Sequence, residues 1–338
     1  MSKKNQVSTS SRGEATTGHG FGTAPVFLAS ISTILGAILF LRFGIAVGQT
    51  GFLGTLLIIV LGHLVTIPTA LAISEIATNR RVEGGGEYFI VSRSFGTTIG
   101  GAIGISLYLS QAVSVAFYMI AFAEAFRPVA PMIERVLPGA LDPRYISLPA
   151  TGILAIFVLR RGASVGVKAL WWVVAILGLS LLLFFLGHTP AGVELGEPGL
   201  LDRVANHDPF ILVFAIVFPA FTGMTAGVGL SGDLKNPSKS IPLGVVSATV
   251  TGMLVYVLLT LKFWSTAPPD VLAGDQLVMA RIAVWGPIIP IGLACATLSS
   301  AIGSILVAPR TLQALGNDKI TPSRHVNALL ASGIGVQN

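Results

Sequence analysis

Cysteine occurs once in the 338 residues, at Cys295, so an intrachain disulfide framework is excluded. Charge is scarce as well. Asp, Glu, Lys and Arg make up 11% of the chain, where a soluble domain carries about 25%, which excludes an ordinary soluble globular domain. The sequence offers no paired carboxylates, no cluster of metal ligands and no nucleophile triad, so neither an enzyme nor a cofactor is expected. No ionisable side chain stands out at mid-span depth, where a proton relay would need one. His63 comes nearest and reads as a hydrogen-bonded helix residue. No signal-peptide core precedes the first long apolar run.

What the chain does hold is apolar length. Hydrophobic residues make up 53% and the mean hydropathy is +0.81. Apolar stretches at 24–41, 52–74, 101–126, 146–159, 169–187, 209–229, 243–263 and 286–308 mostly reach the roughly 20 residues that cross a bilayer. Eight spans are expected in an all-α polytopic membrane protein. A pI of 9.7 would suit nucleic acid, but the basic residues follow a topology signal instead. With the N-terminus inside, fourteen of the 21 basic residues fall on the cytoplasmic side, the positive-inside bias. Residues 1–20 are polar and rich in Ser, Thr and Gly, and they read as a disordered cytoplasmic tail before a transport domain at 21–338. Ala328-Leu329-Leu330 reads as the start of a further span.

Two spans carry helix-breaking sequence in mid-membrane. One is Ser32-Thr33-Ile34-Leu35-Gly36-Ala37-Ile38, the other Phe218-Pro219-Ala220-Phe221-Thr222-Gly223-Met224-Thr225. Backbone groups freed inside a membrane must be satisfied by protein, water or ligand. Interrupted helices at corresponding points of two halves point to a secondary transporter's binding site. A half-helix starting at Gly36 offers free amides and a positive dipole end to an anion, and Gly223 can repeat that geometry. The half-helix ending near Leu35 offers carbonyls to a cation. A cation and an anion side by side cancel much of each other's field, which favours electroneutral cotransport. The plainer alternative is that these small residues only let helices pack closely. Two breaks at matched positions favour the site.

Several segments resemble the cation–chloride cotransporters, of the amino acid–polyamine–organocation superfamily. They are Gly36 to Arg42, Val47 to Gly51, Ile76 to Asn79, Gly84 to Ser94, Ala116 to Glu124, Phe218 to Gly223, Leu230 to Leu234, Ala296 to Ala301, Ala308 to Arg310 and Leu312 to Leu315. The matches run in order from about residue 23 to 322. The resemblance implies a LeuT-like inverted-repeat bundle with broken helices 1 and 6. The second repeat then holds three of its five helices, so a fragment is expected.

The same resemblance implies site residues. Potassium would use carbonyls of Thr33, Ile34 and Pro219 with hydroxyls of Tyr118 and Thr222. Sodium would use carbonyls of Ser32, Leu35 and Ala296 with hydroxyls of Ser299 and Ser300. One chloride would sit on the amides of Gly36, Ala37 and Ile38, a second at Gly223, Met224 and Thr225. The serine pair is similar to the sodium-coupled branch and Tyr118 to the potassium-carrying one, so a sodium–potassium–chloride type is implied. Thr33 and Leu35 depart from the family's frequent Asn and Trp. Alkali cations are the only metals expected, as transported ions.

The implied location is the plasma membrane, with lipid and inorganic ions as partners, a homodimer left open and nucleic acid excluded. Two rivals stand beside this reading: an amino acid permease of the same superfamily, and a truncated membrane protein that transports nothing. Gly227-Val228-Gly229-Leu230-Ser231-Gly232 fits the dinucleotide pattern, but it follows a membrane span rather than a strand. Glu75, Glu124 and Arg42 lie near span ends, where snorkelling or ion pairing is the default.

Overall fold

The computed structural model describes residues 20–79, 85–136, 142–161 and 163–332. The expected disordered tail lies outside the described residues except for Gly20. Fourteen α-helices and three 3₁₀ segments make up the described chain, and one isolated parallel bridge, Phe21 with Leu234, is its only β pairing. Six helical segments, Thr23–Leu41, Phe43–Asn79, Thr97–Met132, Phe210–Asp233, Pro237–Thr266 and Ile288–Asn317, are long and apolar enough to cross a membrane. The two remaining apolar stretches coincide with the shorter apolar helices Arg144–Val158 and Ala169–Phe185.

The chain opens with α1 (Thr23–Ile34), breaks, and resumes as the short α2 (Ala37–Leu41). The following α3 (Phe43–Asn79) runs about two turns and then bends at Gly51, with φ 71° and ψ 178°. Such a backbone is close to glycine-only. A Cβ there would also lie 2.9 Å from the Asp202 carbonyl oxygen. The helices α4 (Glu87–Phe95) and α5 (Thr97–Glu124) follow, then α6 (Ala130–Val136), α7 (Arg144–Arg161) and α8 (Ala163–Phe185).

The second broken span is α9 (Phe210–Val217), one 3₁₀ turn at Phe218–Phe221, and a 3₁₀ segment at Gly223–Asp233. The sequence suggests a second half-helix at that point, and the winding is 3₁₀ rather than α. Gly223, Gly227, Gly229 and Gly232 give this segment weak α propensity. Next come α10 (Pro237–Thr266), α11 (Pro269–Gly274), α12 (Val278–Ile282), α13 (Ile288–Asn317) and α14 (Arg324–Ala331). At eight residues, α14 is too short to be the further span that the sequence suggests.

Packing places α1 at the centre, against α10, α8, α13 and the 3₁₀ segment, while α3 lies along α10 and α5 along α13. Leu39, Val217, Leu293 and Phe263 are wholly buried in the shared core. Outward residues such as Val113, Trp172 and Leu64 are apolar and exposed. A chain facing hydrocarbon has that surface on its rim, and this one is an integral membrane protein.

Candidate ion site at two broken helices

Each break is set by local sequence. At the first, Leu35 takes φ −86° and ψ 40° and Gly36 is extended at φ −91° and ψ −151°. The Leu35 amide still bonds the Ile31 carbonyl at 2.9 Å, whereas no backbone acceptor in the described chain pairs with the amides of Gly36, Ala37 or Ile38. These are the orphan donors of a helix start. At the second break, Pro219 brings no amide of its own. The Thr222 hydroxyl donates to the Pro219 carbonyl at 2.8 Å.

The two breaks lie directly against each other. A Cβ on Gly223 would sit 2.6 Å from the Ile34 nitrogen and 2.7 Å from the Thr33 carbonyl carbon, so glycine is what allows the approach. The Ser30 hydroxyl of α1 donates to the Met224 carbonyl at 2.7 Å. The Tyr256 hydroxyl of α10, fully buried, donates to the Ile34 carbonyl at 2.6 Å. Phe221 stands edge-on to Tyr256, with centroids 5.1 Å apart, and packs on His63 of α3 at 4.9 Å.

Cavities follow from the crossing. One of about 630 Å³ is lined by Thr33, Ile34, Tyr118, Pro219 and Thr222, the whole expected potassium set. Gly36, Ala37, Ile38 and Arg42 line it too. A second, of about 350 Å³, shares Thr33, Tyr118, Pro219 and Thr222 and adds Gly223, Met224, Thr225, Ser300 and Glu87. The expected sodium set is less gathered. Ser32 and Ser299 line a third cavity of about 270 Å³, Ser300 faces the second, and Leu35 and Ala296 are buried and line none of the three. The Ser32 hydroxyl donates to the Ala29 carbonyl at 3.1 Å.

Chemically, the wall offers carbonyl and hydroxyl oxygens beside free amides, groups that coordinate ions. Among the described residues, the charged side chains of the first two cavities are Arg42 in the first and Glu87 in the second. Thr66 Oγ1 and Ser300 Oγ are buried without a hydrogen bond of regular geometry, and both residues line the second cavity. The Tyr118 hydroxyl faces Ser300. Sequence reasoning passed over Tyr256, Ser30, Thr66 and Glu87. A lone Tyr within Met253-Leu254-Val255-Tyr256-Val257-Leu258 is the one signal that could have raised Tyr256.

Comparison with known proteins bears on the family and the fold. Residues 25–331 match the amino acid permease family. Solute carrier family 12 member 9 of Danio rerio is 32% identical over 335 residues, covering 87% of this chain and 37% of the relative. Solute carrier family 12 member 2 of Homo sapiens is 30% identical over 363 residues, covering 93% and 30%. The chain thus spans about a third of the length of these relatives. The family resemblance drawn from the sequence holds. A crystal structure of MhsT in complex with L-phenylalanine superposes with a TM-score of 0.51 at 15% identity, over 90% of this chain and 76% of that one. The LeuT-like fold expected from the sequence is therefore the one observed.

Proposed function

The chain belongs to the amino acid permease family, and from that premise we propose that it is a secondary active transporter carrying chloride with potassium and sodium by electroneutral alternating access. The observation that supports this reading is one cavity of about 630 Å³ in which the five oxygen-bearing residues Thr33, Ile34, Tyr118, Pro219 and Thr222 meet the amides of Gly36, Ala37 and Ile38. Carbonyl and hydroxyl oxygens replace a cation's hydration shell. Orphan amides at a helix start take the anion. Each ion lowers the cost of dehydrating the other. Sodium rests on Ser32, Ser299 and Ser300 with the carbonyls of Leu35 and Ala296, and the second chloride on Gly223, Met224 and Thr225. The reading places the N-terminus in the cytoplasm and the protein in the plasma membrane.

The test is uptake of rubidium, a potassium surrogate, into proteoliposomes holding the full chain. Uptake that requires external chloride and sodium is expected, and uptake indifferent to both overturns the reading. Replacing Tyr118 by Phe weakens rubidium dependence. Replacing Ser299 and Ser300 by Ala weakens sodium dependence selectively, and an unchanged sodium dependence removes the sodium assignment.

A second reading has its own observation. About 630 Å³ exceeds what bare ions need and falls within the usual range of small-molecule pockets, so an amino acid is the competing substrate. Flux stimulated by amino acids without chloride dependence would decide for it. A chain that binds no ion and carries no flux is the remaining outcome.

A further inference from the structure

The second cavity carries a carboxylate that the proposed symport does not use. Glu87 opens α4 behind Gly85 and Gly86, which hold φ of 106° and 54°, and it lines the cavity of about 350 Å³. The start of α4 is docked on the 3₁₀ segment, because a Cβ on Gly86 would touch the Gly229 Cα at 3.5 Å. Thr225 lines the same cavity as Glu87. Thr225 also closes the amide run Gly223-Met224-Thr225, the expected second chloride position. An acidic residue in a first helical turn often only complements the helix dipole at the surface. Glu87 instead lies half-buried against an internal cavity, together with the buried Thr66 and Ser300 hydroxyls that lack regular partners.

Among the described residues, no cation lines the cavity beside it. Among the described residues lining this cavity, Tyr118 of α5 is the only other titratable group. The helix α4 packs against α5, α13, α3 and the 3₁₀ segment, and the charged or titratable groups of these elements are turned elsewhere. Tyr88 and Arg93 of α4 reach Asp318 at 2.7 and 2.9 Å. Arg310 of α13 reaches Asp233 of the 3₁₀ segment at 3.1 Å and the Gly229 carbonyl at 3.4 Å. His63 of α3 bonds the Ile59 carbonyl at 2.8 Å, and Glu75 of α3 is exposed. Glu124 of α5 pairs with Arg127 at 3.4 Å. Cys295 of α13 lines the third cavity, and Tyr108 of α5 lines none of the three.

We propose that Glu87 is a proton-binding group coupled to the anion position at Gly223-Met224-Thr225. Its carboxylate takes one proton from water as the anion arrives and returns it as the anion leaves. The inference rests on the chloride reading above. A carboxylate at Glu87 and a halide at Thr225 face the same cavity as like charges, so neutralising one favours binding of the other. Only the carboxylate can be neutralised. Burial already pushes the Glu87 carboxyl above the usual carboxylate range, with Thr225 opposing it.

The experiment is chloride titration of the purified full chain, against gluconate, across about pH 5 to 8.5, with proton uptake read in weak buffer. Wild type takes up as much as about one proton per chain on chloride addition, and its chloride affinity falls up to about tenfold per pH unit as the pH rises. Glu87→Gln binds chloride with no pH dependence and no proton uptake, while Glu87→Asp keeps both. If wild type binds chloride equally at every pH, or Glu87→Gln keeps the wild-type pH dependence, the coupling is overturned and the chloride reading stands. If wild type binds no chloride at any pH, the chloride reading itself falls and takes this inference with it. Should Glu87→Gln fail to fold, proton uptake by the wild type decides alone.

Discussion

Tyr256 commits its single hydroxyl to the Ile34 carbonyl, 222 residues away and in the middle of the first break. That carbonyl has two lone pairs; the tyrosine holds one, and Ile34 lines the cavity of about 630 Å³. Tyr256→Phe removes the donor and leaves a buried carbonyl partly unsatisfied, a loss of about 1–2 kcal/mol. If Ile34 is a cation ligand, potassium draws on the carbonyl's other lone pair and offsets part of that loss. Melting curves of the variant should therefore fall below wild type, and by less in saturating potassium than in its absence. An identical deficit in both conditions would mean that Ile34 does not ligate the cation. None of this was legible beforehand, because an apolar run does not show which distant carbonyl its tyrosine reaches. Tyr118 became legible only through family resemblance, since alone it reads as a core tyrosine.

The helical breaks are the most legible elements. Gly36 and Pro219 announce them, and the chain leaves the α conformation at Leu35–Gly36 and at Phe218–Thr222. What the sequence did not show is how closely the breaks approach, or that the segment from Gly223 onward winds in 3₁₀ turns. Both depend on contacts made across the bundle rather than on local propensity. Gly223→Ala tests the approach. Its Cβ would meet backbone atoms of Thr33 and Ile34 at 2.6–2.7 Å, and backbone cannot rotate away, so the breaks must separate at a cost of about 1–3 kcal/mol. Gly178→Ala, where nothing lies within 4 Å, is the matched control. Thermal melts and rubidium uptake should both drop for Gly223→Ala and stay at wild type for Gly178→Ala. Equal behaviour of the two variants would remove the close approach from the explanation. The bend at Gly51 was legible only as a gap between two apolar runs, since nothing in the sequence announces φ 71°.

Across the whole molecule, composition could say that the faces are apolar but not which of them meet lipid. Val113 is exposed and Leu293 buried, although hydropathy treats them much alike. Polar clamps fix the assembly more specifically. Arg93 of α4 grips Asp318, just past α13, through two bonds of 2.9 Å, and Tyr88 adds a third at 2.7 Å. This joins the wall that carries Glu87 to the helix that carries Ser299 and Ser300. Partial burial pushes the Asp318 carboxyl up, but the Arg93 and Tyr88 bonds outweigh it and hold the group below its ordinary value. A depressed native pKa contributes stability that is fully present above the unfolded value, near 3.8, and is lost as the pH falls through the lower native one. At neutral pH, Asp318→Asn should therefore destabilise the chain by about 1 kcal/mol, a figure discounted because Arg93 is 39% exposed. The gap between variant and wild type should close as both are acidified below that window. Melts of the two proteins at neutral pH and in acid decide it: coincident curves at neutral pH would mean that the clamp contributes nothing, and a gap that persists in acid would mean that its contribution is not electrostatic.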